Sequence, residues 1–235
     1  MQLHARALAV CLFLAGAFTT SGWADDNLKD VLARMNQAAS EFKSMTAHVT
    51  YVTHTDVLNE DNTETGNVVM KKVQPGEVQV RIDFTAPDVK TVIVDMRRFR
   101  VYYPKIKTVQ VYDLAKHGEQ FDQLVMTGFG TSGTELAKDY DMKVLGTEPL
   151  KSQEGMPAIR VELTPKRSET RQYVKTMVLW IPEQGDPYPL QEKIVEPSGD
   201  YRLVTYSGLK INSPLAGDAM QLKLPAGVKT EYPGK

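Results

Sequence analysis

EVQVRIDFTAPDVKTVIVDMRRFRVYYPKIKTVQVYD, residues 77–113, is the stretch on which the fold turns. At its start Val78, Val80, Ile82 and Phe84 alternate with Gln79, Arg81 and Asp83, the period of two expected of a strand with one buried face. TVIVD follows, then RFRVYY with Phe99, Val101 and Tyr103 on one parity, then TVQVYD. The links are short, so strands adjacent in sequence are expected to be adjacent in space.

The same grammar extends in both directions. Upstream, Met45 to Leu58 and Glu64 to Val73 read as a strand pair joined by the polar turn NEDNTET. Downstream come DMKVLG, MPAIRVELTP, VKTMVLWI, LQEKIVE and YRLVTYSGLKI, linked by QEG, PEQGDPYP and PSGD, whose Gly, Pro and Asp suit tight antiparallel turns. Eleven strands are expected in all. Before them, DDNLKDVLARMNQAASEF carries Leu28, Val31, Leu32, Met35, Ala38, Ala39 and Phe42 at helical spacing, behind aspartates placed to cap its start. No βαβ alternation occurs, so no parallel sheet is expected.

One segment interrupts the strands. LAKHGEQFDQLVMTGFGTSGTELAKDY has helical spacing at Phe121, Leu124 and Val125, passes through glycines, and restarts with Thr131 or Ser132 as a cap before Leu136 and Tyr140. GFGTSG fits the dinucleotide fingerprint G-x-G-x-x-G, but that motif has meaning only where a buried strand turns into a helix inside a βαβ unit. Here it follows a helical pattern, and Asp139 and Asp141 come too soon to hold a ribose. The glycines read instead as joints, Gly128 ending one short helix and Gly130 and Gly133 forming a hinge before the next.

The first 24 residues read as a secretory signal: Arg6 supplies the positive start, Ala7 to Phe18 an apolar run too short to span a bilayer, and TTSGWA a cleavage site after Ala24. Cys11 lies inside that run, so the mature chain, 25–235, is expected to be one domain without disulfides, thiolate metal sites or a cysteine nucleophile. Of 28 Lys and Arg, 27 remain after Arg6 is removed, against 29 Asp and Glu, a net charge of −2 with the signs interleaved. Nucleic-acid binding needs a clustered basic face and is excluded. The expected location is extracytoplasmic.

A long antiparallel meander must close or have its face covered. Eleven strands curl around more room than their own side chains fill, because interior width grows with strand number. The first helix would plug part of that concavity and the helical insertion would cap its mouth, leaving an apolar cavity suited to apolar guests. An ordinary packed core accounts for the same alternation at any single residue. Catalytic constellations are poor. Histidines remain at 48, 54 and 117; His48 is about 20 Å from His54 at strand rise, too far to share a metal. His54 and Asp56 read as a solvated edge pair, and no G-x-S-x-G, H-E-x-x-H or P-loop occurs. The chain reads as a non-enzyme without a cofactor.

Several segments resemble the LolA family of periplasmic lipoprotein carriers. PDVKTVIVDMRRFRVYYPKIKTVQVYD, from Pro87, resembles that family's strand pair leading to an aromatic-Tyr-x-Pro turn; VLWIPEQGDPYPLQEKIVEPSGDYRLVTYSGLKIN, from Val178, resembles its later hairpins; MQLKLPAGVKT, from Met220, is similar to its closing strand. The resemblance implies an unclosed 11-stranded antiparallel half-barrel, mainly β with helices, whose lid covers a hydrophobic concave face. It implies a monomer that takes acylated lipoproteins or lipids from an inner-membrane lipoprotein-releasing transporter to an outer-membrane acceptor across the periplasm. The family's latch is an arginine before a proline on an early strand. Here KKVQPGEV sets Gln74 before Pro75, with Lys71 and Lys72 nearby. That departure leaves room for a carrier of another lipid.

On this reading the lipid-binding wall takes one parity of each central strand: Val80, Ile82 and Phe84, then Phe99 and Val101, then Ile159, Val161 and Leu163. The ninth strand adds Met177 or Trp180, its parity undecided because both faces are apolar. Phe121, Leu124 and Phe129 come from the lid, hinged at Gly128, Gly130 and Gly133. Charged substitution at Ile82 or Val161 is expected to abolish lipid loading in a folded protein. Two other functions compete. One is a lipid-responsive envelope-stress sensor of the RseB type, disfavoured because such regulators add a second domain and this chain is expected to end at TEYPGK. The other is a secreted hydrolase using scattered carboxylates.

Overall fold

A computed structural model describes residues 21–74, 77–95, 97–114 and 128–233, with side chains from residue 27 onward. Helix α1 (Ser21–Glu41) leads into strands β1 (Ser44–Thr55), β2 (Glu60–Gln74), β3 (Glu77–Ala86), β4 (Lys90–Val94), β5 (Arg98–Tyr103) and β6 (Thr108–Asp113). After the interruption come α2 (Gly133–Asp139), β7 (Tyr140–Leu150), β8 (Met156–Pro165), the single turn α3 (Ser168–Arg171), β9 (Thr176–Pro182), β10 (Gln191–Val195), β11 (Tyr201–Ile211) and β12 (Lys229–Glu231). The eleven expected strands all form. Phe121, Leu124, Val125, His117 and Pro75 lie outside the described residues, as does the expected signal up to residue 20.

All twelve strands join one open sheet in the order β12-β6-β5-β4-β3-β2-β1-β11-β10-β9-β8-β7. It is an unclosed half-barrel with helices, mainly β. The sequence order breaks at one place within the two meanders: β1 pairs with β11 along Met45–His54, which brings them together. In consequence β6 and β7, consecutive in the chain, stand at opposite sides of the sheet. The twelfth strand corrects two expectations. Lys229–Glu231 adds to the edge of β6, and it does so in parallel, against Thr108–Gln110. A chain returning from the far end of β11 can reach that edge without any βαβ unit, which is why the missing alternation did not exclude it.

The apolar stripe of α1 faces inward as its spacing requires. Val31, Met35 and Ala39 are buried, Leu28, Leu32 and Ala38 partly so, and Phe42 follows just past the helix end. The helix begins at Ser21, before the aspartates expected to cap it. Its other end is capped by a distant residue: Asn212, at a φ of 54°, accepts from the backbone N–H of Lys43 and Ser44 and donates to the Glu41 carbonyl. A side chain after β11 thereby supplies the partners that a helix C-terminus lacks.

Candidate functional site: the concave apolar face

Period-two alternation places the expected wall on one face of the sheet, and the fold divides that face in two. Ile159, Val161 and Leu163 of β8, with Met177, Leu179 and Ile181 of β9, pack against Val31 and Met35 of α1 and Leu136 of α2. Val161, Leu163, Leu179 and Ile181 are 0% exposed. Val80, Ile82 and Phe84 of β3 and Val101 of β5 belong to a second cluster with Met45, Ala47 and Val49 of β1, Val68 and Met70 of β2, and Val204 and Tyr206 of β11. Phe99 lies at the margin of this cluster, half-buried against Tyr112.

Strand nine resolves its ambiguity. Met177 faces the helices, whereas Trp180 points to the convex side among Leu150, Ala158 and Leu190, its indole N–H donated to Glu148 Oε1 at 2.5 Å. Trp180 is therefore not part of the concave wall. Both faces of β9 are apolar because the convex side carries a small cluster of its own, which a strand with one buried face would not have.

The glycine segment sits against the β1–β5 half of the face. Phe129 is 2% exposed. Its ring stacks on Tyr188 (centroids 5.8 Å, interplanar 6°), meets Tyr206 edge-on (5.2 Å, 78°) and lies 6.3 Å from Phe42. Gly128 and Gly130 flank it at φ +95° and +74°, where side chains other than glycine are strained. A Cβ on Gly128 would stand 2.7 Å from the Pro189 ring, and one on Gly130 would stand 3.0 Å from Phe42. Gly133 differs from the expected hinge. It is the first residue of α2, and what it needs is closeness, since an added Cβ would meet Leu32 at 2.8 Å. Ser132 caps α2 in a full capping box with Glu135, and those hydrogen bonds hold the Glu135 carboxyl below its ordinary range.

Polar groups fasten this assembly from its rim. Arg34 of α1 donates to the carbonyls of Pro182, Glu183 and Gly185 at 2.9–3.0 Å, clamping the helix to the β9–β10 loop. Asn36 accepts from the backbone N–H and hydroxyl of Thr134, tying α1 to α2. Gln74, at the place of the family arginine, is exposed, yet Lys72 two residues earlier donates its Nζ to the Ala39 carbonyl at 3.0 Å. The Tyr188 hydroxyl donates to the Ala38 carbonyl. Burial first, then Asp186 and Glu41, push the Tyr188 phenol up to about 12. The Tyr206 hydroxyl donates to Glu192 Oε1, and burial with that carboxylate raises it well above the ordinary tyrosine range.

Sequence reading missed Tyr188 and Tyr206. Tyr206 shares the parity of Val204 and was recoverable from β11; Tyr188 sits in the loop PEQGDPYP, where no periodicity speaks. Away from the concave face, His54 Nδ1 lies 2.7 Å from Asp61 and its Nε2 3.9 Å from Asp56, while its ring stacks on Tyr201. Among the described residues no three His, Cys, Asp or Glu side chains converge to hold a metal.

No protein-family model matches the sequence, and a comparison with characterised proteins finds no match either. Solved structures do match. MucB superposes with a TM-score of 0.53 at 17% identity, over 84% of this chain and 63% of its own; the chain thus spans less than two thirds of MucB. An uncharacterised conserved protein from Thermus thermophilus gives 0.52 at 14% identity, over 87% and 98%. A LolA superfamily protein from Nitrosomonas europaea gives 0.38 at 13% identity, over 80% and 94%. The likeness of the first two is one of fold. The fold of this chain is an open, mainly antiparallel half-barrel whose concave apolar face lies under helices.

Proposed function

We propose that the protein is a periplasmic carrier that holds the acyl chains of lipoproteins against its concave face and ferries them from the inner to the outer membrane. The observation that carries this reading is the β1–β5 half of that face. Its strand residues are apolar and hidden from water, Val80, Ile82, Phe84 and Val101 among them, and the aromatic side chains of Phe42, Phe129 and Tyr188 pack in the same cluster. The physics asks for no catalysis. Each methylene of an acyl chain left in water costs roughly 0.8 kcal/mol, so a lipid-anchored protein needs cover to cross an aqueous space. The cover must also be weaker than the recipient's, so that cargo moves on.

Signal cleavage after Ala24, a single domain over 25–235 and a monomeric state belong to this proposal, as do a donor transporter and an outer-membrane acceptor. Native mass spectrometry of the protein exported to a Gram-negative periplasm tests it: acyl-bearing adducts are expected, and lipid-free protein at every harvest overturns it. The likeness to MucB supports a second reading, a lipid-responsive envelope-stress sensor. Spheroplasts separate the two, since a carrier releases lipoproteins into the medium whereas a sensor binds lipid and leaves them in the membrane.

A further inference from the structure

We propose that the slot filled by Phe129 is itself the acyl-chain subsite, and that Phe129 is the protein's own occupant of it, displaced when cargo enters. The inference rests on the carrier reading above and specifies where in the concave face the chain lodges.

Three observations converge on the slot. First, its walls are ring faces. Tyr188, Tyr206 and Phe42 surround the Phe129 ring, and both tyrosine hydroxyls are engaged elsewhere, one on the Ala38 carbonyl and the other on Glu192. What the slot offers an occupant is apolar surface, which suits an alkyl chain and not a headgroup. Second, the slot is continuous with the face behind it, because Phe129, Tyr188 and Tyr206 belong to the same cluster as Met45, Val80, Ile82 and Phe84. A chain lying along β3 therefore meets the segment that carries Phe129, where a Cβ on Gly130 would stand 3.1 Å from Val78. Third, the residue is carried on a segment that is neither helix nor strand, between glycines at φ +95° and +74°. A core phenylalanine on a strand has no such mounting. Phe129 lies in none of the twelve strands, so moving it leaves every strand pair intact.

An occupant that must leave before cargo binds lowers cargo affinity by the free energy of its own burial. For a buried phenylalanine that amounts to roughly tenfold to hundredfold in the binding constant. This is how a carrier with a large apolar face keeps its grip loose enough to pass cargo on.

The test places tryptophan at the slot. In mature protein carrying Trp180→Phe, so that the convex-side indole is removed, Phe129→Trp becomes the sole indole, excited selectively over the tyrosines. Its emission is expected to be blue without ligand, to shift red as brominated stearic acid is titrated in, and to escape quenching by the bromines. Binding confirmed by native mass spectrometry with emission still blue and strongly quenched overturns the displacement and leaves the carrier reading standing. Absence of any stearate adduct on the unsubstituted protein overturns both. Phe129→Ala gives a readout that needs no indole: stearate affinity is expected to rise about tenfold or more, and an unchanged or weaker affinity in folded protein overturns the proposal.

Discussion

The two halves of the concave face share one sequence pattern and differ in what lies on them. Val161 and Leu163 on β8 alternate with polar neighbours as Val80 and Ile82 do on β3, and all four are buried. Over β8 and β9 two helices bring Val31, Met35 and Leu136 into direct contact, and the result is a packed core. Over β1 to β5 the described cover is a few aromatic side chains mounted on loops. Alternation reports that a face is hidden from water and is silent about whether a helix of the same chain or a passing ligand hides it. On this comparison β8 and Met177 support α1, and the proposed acyl wall narrows to the strands around β3.

Substitutions can break that division. The largest effect is expected at Val161, which the sequence alone offered as a site of lost loading. Beneath α1 an aspartate there would be an unpaired buried charge costing more than about 3 kcal/mol. Val161→Asp should therefore lose its cooperative thermal transition, and a normal transition without lipid loading would return β8 to the wall. Leu163→Ala is milder, about 2–5 kcal/mol by chemical denaturation, with acyl binding per folded molecule unchanged. Ile82→Asp is expected to do the reverse, abolishing stearate binding while the circular dichroism of the sheet persists.

Smaller changes sharpen the role of the glycine segment and the clamp. Gly130→Ala sets a Cβ in a left-handed backbone against Phe42 and Val78, an expected loss of about 1–2 kcal/mol. Hydrogen exchange should quicken around α2 rather than in β8. Arg34→Met removes three charge-assisted hydrogen bonds from a half-exposed site, about 1–2 kcal/mol. Its mark should be faster exchange along α1. The smallest effect concerns pH. The folded Glu135 carboxyl sits below its unfolded range, so its contribution is fully present above that range and is lost as pH falls from there through the lower folded value. Glu135→Gln should flatten the acid limb of α2 protection, and an unchanged limb would remove the capping box from the account.

How far the site was legible follows from the same physics. The buried parity of β3, β5 and β8 was readable because a strand's side chains alternate. Trp180 was not, since β9 is buried on both sides and period two vanishes there. Tyr188 lay in a loop without periodicity. Gly128 and Gly130 were legible as glycines needing dihedral freedom, whereas the closeness that Gly133 serves depends on Leu32, far away in the chain.

The sequence by itself determined the strands, the inward stripe of α1 and the Ser132 cap, because each depends on neighbours within a few residues. Tertiary structure alone decided that β1 meets β11, that β12 runs parallel to β6, that Arg34 grips the β9–β10 loop, and that Phe129 enters an aromatic slot. Those outcomes join residues far apart in the chain, and local propensity carries no information about which distant surfaces the curvature of a sheet brings into contact.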